Sequence, residues 1–287
     1  MDSVNEKTFE NPPVCLLVDN GSIVSDSILS ARRIALILSE RLGLEVQSVG
    51  LMHSDRVSAQ ALGGVAAETL IPYLQKRMLS GTFNFLLIPL FLGPSRALTE
   101  WLPRELEGLL VKFPNVIVRV GECLACDPES EETLAQAVLD RIRASSQDIE
   151  LTSPFVAFVD HGTPEPKVNE VRERVGGLLR DLLGSIVSGF STCSMERRSD
   201  PEFAFNEPLL ANLLLDNSIV PSGNVVAALF FLLPGRHAGL GGDLQNIIED
   251  VQGLRQDLTI HKTDSLGEHP LVLDLLEGNF RKLLKDN

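Results

Sequence analysis

Along the chain, short unbroken apolar runs alternate with longer stretches whose apolar residues recur every three or four positions. Val14-Cys15-Leu16-Leu17-Val18-Asp19 is the first run, closed by Asn20-Gly21-Ser22. A run so short and continuous fits a strand buried on both faces, as in a parallel sheet. From Ser25 to Leu42, residues Ile28, Leu29, Ile34, Ala35, Ile37 and Leu38 keep helical spacing, and Gly43 stops the pattern. The same reading predicts strands at 46–52, 83–92 and 116–120, with helices at 59–79 (interrupted by Gly63-Gly64 and Pro72), 97–111 and 131–144. The series then restarts, with strands at 155–160, 186–193, 225–233 and 258–261 and helices at 165–183, 207–215, 243–254 and 270–284. Strict alternation of this kind predicts an α/β fold, with parallel sheets flanked by helices and right-handed crossovers. The polar stretch Ser145–Ser153 separates the two series. The expected lobes are therefore 13–147 and 153–287. Residues 1–12 are acidic at their start and read as a short disordered arm, without the basic start or apolar stretch of a signal peptide.

The two series resemble each other. Leu17-Val18-Asp19-Asn20-Gly21-Ser22 matches Phe158-Val159-Asp160-His161-Gly162-Thr163, and Phe91 to Ala97 matches Phe231 to His237. Glu68-Thr69-Leu70 matches Glu207-Pro208-Leu209 between them. Three landmarks in one order at nearly one offset argue for internal duplication, with two lobes facing across a cleft. The differences between the copies carry the chemistry. His161 stands where the first copy has Asn20, and His237 where it has Ala97. Both histidines close strands of one sheet, and ligands of open α/β sheets bind beyond the carboxyl ends of strands. His53, which aligns near Glu196, and His261 and His269 lack such support and read as surface or loop residues.

Composition narrows the choice. A net charge of −14 over 287 residues speaks against nucleic acid and anionic membranes as partners. No apolar run approaches the ~18 residues of a membrane span. Four cysteines are too few for a secreted disulfide scaffold, which fits a cytoplasmic protein. Cys123 and Cys126 form a lone C-x-x-C that reads as two thiols at a strand end, not a zinc site. With one Trp and one Tyr and no phosphate loop, a flavin-binding reading is weak.

Val159-Asp160-His161-Gly162-Thr163-Pro164 with Pro166, Val168, Asn169, Val171 and Arg172, together with Phe231-Leu232-Leu233-Pro234-Gly235-Arg236-His237, resembles the sirohydrochlorin chelatases, the cofactor-free class II group. The likeness spans most of the chain and is strong only in the second half. It implies two flavodoxin-like, chelatase-like lobes with a tetrapyrrole between them. The implied activity is insertion of Co2+ or Fe2+ into sirohydrochlorin, toward cobalamin or sirohaem, with the metal as substrate and no organic cofactor. A chelatase for another metal such as nickel, or a non-catalytic tetrapyrrole- or metal-binding protein, are the alternatives. Because one chain supplies both lobes, a monomer is expected.

On that resemblance His161 and His237 hold the metal, and His161 also takes a proton; neutral imidazole binds these ions weakly enough to release them. A carboxylate should complete the site, either Glu196 or Glu207, the latter also suited to opening a helix. The ring carries eight carboxylates, so basic partners are needed on an acidic chain. Arg197, Arg198, Arg236 and Arg96 are the candidate guanidinium donors, and Ser22, Gly162 and Thr163 the candidate turn donors. Arg172 and Arg174, on a helix, read as solvated surface arginines.

Overall fold

The computed structural model describes residues 13–148, 152–235 and 241–285. Two four-stranded parallel sheets form. The first contains β1 (Val14–Asp19), β2 (Val46–Gly50), β3 (Asn84–Pro89) and β4 (Ile117–Val120) in the order β2-β1-β3-β4. The second contains β5 (Phe155–Asp160), β6 (Gly189–Ser194), β7 (Gly223–Leu229) and β8 (Leu258–Lys262) in the order β6-β5-β7-β8. In each sheet the chain steps outward from the first strand, then crosses back over it. That reversal opens a crevice at the carboxyl ends of β1 and β3, and again of β5 and β7. All six residues of β5 are buried, which is why that strand reads as an unbroken apolar run.

The helices are α1 (Ser25–Leu42), α2 (Leu70–Leu79), α3 (Leu102–Lys112), α4 (Pro128–Asp148), α5 (Pro166–Leu183), α6 (Leu210–Leu215), α7 (Asp243–Leu254) and α8 (Pro270–Lys285). The helix expected over 59–79 is shorter. Gly63 and Gly64 take φ of 74° and 95°, a left-handed backbone that no helix can contain, so only a 3₁₀ turn at Ala59–Leu62 precedes α2. The helix expected over 207–215 begins only at Leu210, because Leu209 bridges to Ser194 beside β6.

The last helix of each half lies against the other half. Helix α4 packs on α5 and β7, while α8 packs on α1, α4 and β3. One core therefore runs through both sheets, from Leu17, Ile88, Leu134 and Val138 to Phe158, Val226, Leu276 and Phe280. Each such side chain contributes about 1.5–3 kcal/mol on burial, so the exchanged helices hold the two sheets at a fixed spacing. Arg174 belongs to this seam. It is half exposed and makes a two-pronged pair with Glu131 of α4 at 2.7–3.1 Å. His269 is a loop residue just ahead of α8, but a buried one, and its Nδ1 accepts from the Leu271 amide at 3.3 Å.

Hydrogen bonds recur between the halves. Leu51 N–H donates to Asp19 and Met52 N–H to Asn20, as Met195 donates to Asp160 and Glu196 to His161. Glu196 thus corresponds to Met52, and His53 to Arg197, one position away from the sequence alignment. The bridges Gly50–Thr69 and Ser194–Leu209 likewise pair Glu207 with Ala67, not Glu68. The support that Glu68 lent to Glu207 falls away.

Candidate active site at the end of strand β5

Strand β5 ends on a buried polar anchor. Asp160 Oδ1 accepts from the Gly162 amide at 3.1 Å, from Ser194 Oγ at 2.6 Å and from Arg172 Nη1 at 3.2 Å. Arg172 is 1% exposed, so the solvated arginine expected from the sequence is instead a core cation. It sits on the inward face of α5 because Asp160 and Ser194 face it there, and burial of a guanidinium requires such partners. Gly162 follows with φ of 94°, and a Cβ on it would come within 1.9 Å of the Glu196 carbonyl oxygen. Only glycine permits that approach, and it brings Glu196 beside His161.

His161 Nδ1 lies 3.0 Å from the Gly162 carbonyl oxygen. The Nδ1–H tautomer donates there and leaves the lone pair on Nε2. Nε2 is 3.3 Å from Glu196 Oε1. A ring lone pair and a carboxylate oxygen at that separation repel unless a proton or metal cation stands between them. Both side chains are half exposed, although Nε2 itself is shielded from solvent. Among the described residues no three His, Cys, Asp or Glu side chains converge to hold a metal, which also applies to Cys123 and Cys126. His237 and Arg236 fall outside the described residues.

The other sequence candidates already have partners. Glu207 binds Arg197 Nε at 2.7 Å and accepts from the Leu209 amide at 2.9 Å, which holds its carboxyl below the usual range. That work is structural, tying the segment after β6 to the start of α6. Arg197 also donates to the Arg198 carbonyl at 2.9 Å, and Arg198 lies over the Phe203 ring at 5.3 Å. Arg96 reaches across to Glu165 at 3.4 Å. The turn amides expected to bind carboxylates are consumed inside the protein. Gly162 N–H goes to Asp160, Thr163 N–H to Asn206 Oδ1 at 2.9 Å, and Ser22 N–H to Ser54 Oγ at 3.3 Å. Asn206, fully buried, returns Nδ2 to the Thr163 carbonyl at 2.9 Å and so fastens the His161 loop. Sequence reasoning passed over it, although its place before Glu207-Pro208 put it beside a named motif.

Both lobes face one cleft of about 510 Å³. It is lined by Asp19, Asn20, Ser22, His53, Arg56 and His161, with an apolar floor of Phe91, Phe231 and Leu232 among others. A larger open groove of about 810 Å³ follows the free edge of β2, past Arg32, Leu36 and Tyr73, and does not include His161. The cleft, not that groove, joins the strand ends to the imidazole. His53 and Arg56 are the residues the sequence reading missed. His53 is exposed at the cleft with φ of 68°, a strained backbone for a histidine, and no sequence pattern signals that.

Asp19 is the first-half counterpart of Asp160, and burial pushes its carboxyl up to about 6. Between the unfolded value near 3.8 and about 6 the folded chain holds the extra proton, so this group's contribution to stability falls as pH rises through that window. Asp19→Asn, which keeps the oxygen facing Gly21, is expected to remove that slope. It should raise stability near pH 7 by about 2–3 kcal/mol in urea unfolding followed from pH 4 to 7.

No protein-family model and no curated protein sequence matches this chain. Solved structures do. The sirohydrochlorin chelatase SirB from Bacillus subtilis subspecies spizizenii, in complex with cobalt, aligns over 96% of both chains with a TM-score of 0.67 and 16% identity. The chain has the fold of the sirohydrochlorin chelatases. SirB from Bacillus subtilis with Fe3+ covers 94% of each chain at TM-score 0.65 and 18% identity. CbiX, the terminal enzyme of sirohaem biosynthesis in denitrifying bacteria, covers 94% of this chain and 98% of its own at TM-score 0.58 and 14% identity. The chelatase fold therefore extends over nearly the whole chain. Among the described residues no helix is long and apolar enough to cross a membrane.

Proposed function

We propose that this chain inserts a divalent transition metal, Co2+ or Fe2+, into an anionic tetrapyrrole of the sirohydrochlorin class, with its chemistry at the carboxyl edge of the second sheet. The observation that carries the reading is His161 Nε2 at 3.3 Å from Glu196 Oε1, at the rim of an interlobe cleft and on the fold that chelatases use. An imidazole and a carboxylate offer one nitrogen and one oxygen donor, enough to retain a divalent ion and few enough to surrender it to four ring nitrogens. Metal insertion breaks two pyrrole N–H bonds and releases two protons. His161 Nε2 accepts one as the metal leaves it, with the Nδ1–H···O=C bond to Gly162 holding the ring in place. Glu196 accepts the other and passes it to solvent. His237, which follows β7 in the sequence, completes the set in this proposal.

The first lobe supplies the opposite wall without an equivalent pair, since Asn20 replaces the histidine and Met52 the glutamate. The test is anaerobic metallation of sirohydrochlorin by the purified chain, with Co2+, Fe2+ and Ni2+ compared against the uncatalysed rate. Acceleration with at least one metal is expected. Ring binding at an unaccelerated rate with all three would make the chain a tetrapyrrole-binding protein instead.

A further inference from the structure

A second cavity, of about 450 Å³, lies on the far side of the Leu233–Gly235 segment from the cleft. Leu233 and Gly235 line the cleft, and Pro234 between them lines this pocket. Three cations from three elements meet there: Arg33 of α1, Arg141 of α4 and Lys262 at the end of β8. Two carboxylates share it, Glu268 and Asp264. Glu268 Oε1 takes two bonds from Arg33 at 2.7 and 3.0 Å and one from Ser30 Oγ at 2.7 Å. Asp264 is largely exposed and stands 3.9 Å from Arg141 Nη1, outside hydrogen-bond distance. Among the described lining residues three cations thus face two carboxylates, on a chain of net −14. Arg141 Nε is buried with no hydrogen-bond partner, a donor whose desolvation costs about 1–3 kcal/mol unless an acceptor reaches it. Lys262 is partly desolvated, which holds its ammonium below the ordinary lysine range. Every other candidate arginine with a described side chain near the cleft, except Arg56, is spent on an internal partner or an aromatic ring.

We infer that this pocket is a carboxylate subsite, in which Arg141 and Lys262 receive one peripheral acid side chain of the ring ligand lying in the cleft. The inference rests on the proposed function for the identity of that ligand. In this inference a flexible propionate or acetate arm passes Pro234 while the ring stays on the apolar floor. The subsite gives an acidic protein local attraction for a polyanion that its overall field repels.

The test uses an octacarboxylate porphyrin such as uroporphyrin, which reports binding without metallation. Fluorescence titration of the full chain is compared with Arg141→Gln, Lys262→Gln and a charge-matched control, Lys112→Gln on the exposed face of α3. Each pocket variant is expected to weaken binding about 5- to 10-fold and the control by less than twofold. Lys262→Gln changes a partly exposed strand end, so it serves if Arg141→Gln fails to fold. Equal affinities for all variants, or an equal loss in the control, overturn the subsite and leave the proposed function standing. If the unaltered chain binds no octacarboxylate, both fall. Inorganic phosphate is titrated in parallel against thermal unfolding. Protection by phosphate that Lys262→Gln removes, with porphyrin affinity unchanged, would assign the pocket to a free anion and overturn the inference.

Discussion

His161→Ala is expected to lower kcat/KM for metal insertion at least about 100-fold while ring affinity changes little. General-base catalysis by a positioned side chain contributes about 10²–10⁴-fold, and in the proposed function the same nitrogen is also a metal donor. With Nδ1 bonded to Gly162 and Glu196 3.3 Å from Nε2, that proposal makes Nε2 the atom to meet metal and proton. Glu196→Gln keeps the shape and an oxygen donor but loses the charge, so a loss of about 10- to 100-fold is expected, mostly in kcat. His261→Ala, on β8, should stay within about twofold. Stopped-flow absorbance at saturating ring separates the two parameters. Unchanged turnover in His161→Ala with ring binding intact would remove this histidine from the mechanism. A raised KM at constant kcat would mean uniform binding only.

The pattern of apolar runs carried the fold because strands buried on both faces leave a continuous signature. All eight strands and the helices between them were legible in this way, and so was the strand-end position of His161. The errors have physical causes. Gly63 and Gly64, visible in the sequence as an interruption of the helix expected over 59–79, in fact end it, because both take positive φ. The exchange of α4 and α8 was invisible, because an amphipathic face reveals that it is buried but not on which sheet. At the site, Glu196 could be placed by its position after β6. Glu207, Arg197 and Arg96 could not be told from ligand-binding residues, since a charged side chain on a loop looks the same whether it faces solvent, a ligand or another loop. Arg172 was misread for the related reason that its buried partners, Asp160 and Ser194, lie 12 and 22 residues away.

Arg172→Ala is expected to cost about 3–5 kcal/mol of stability at pH 7, the range for removing one partner of a buried pair and stranding the other charge. The chain contains its own comparison. In the first half Asp19 occupies the place of Asp160, but Ala31 stands where Arg172 stands and Gly50 where Ser194 does. Without guanidinium or hydroxyl, the buried Asp19 carboxyl rises to about 6. Urea unfolding at pH 7 measures the loss, and adding Asp160→Asn to Arg172→Ala should recover part of it by removing the stranded charge. No recovery in the double variant would point to lost packing of the Arg172 stem instead. The same variant separates anchor from chemistry. Asp160 also holds the Gly162 amide, so loosening that turn would displace Nε2 from Glu196, and kcat should fall in the folded fraction even where stability is restored.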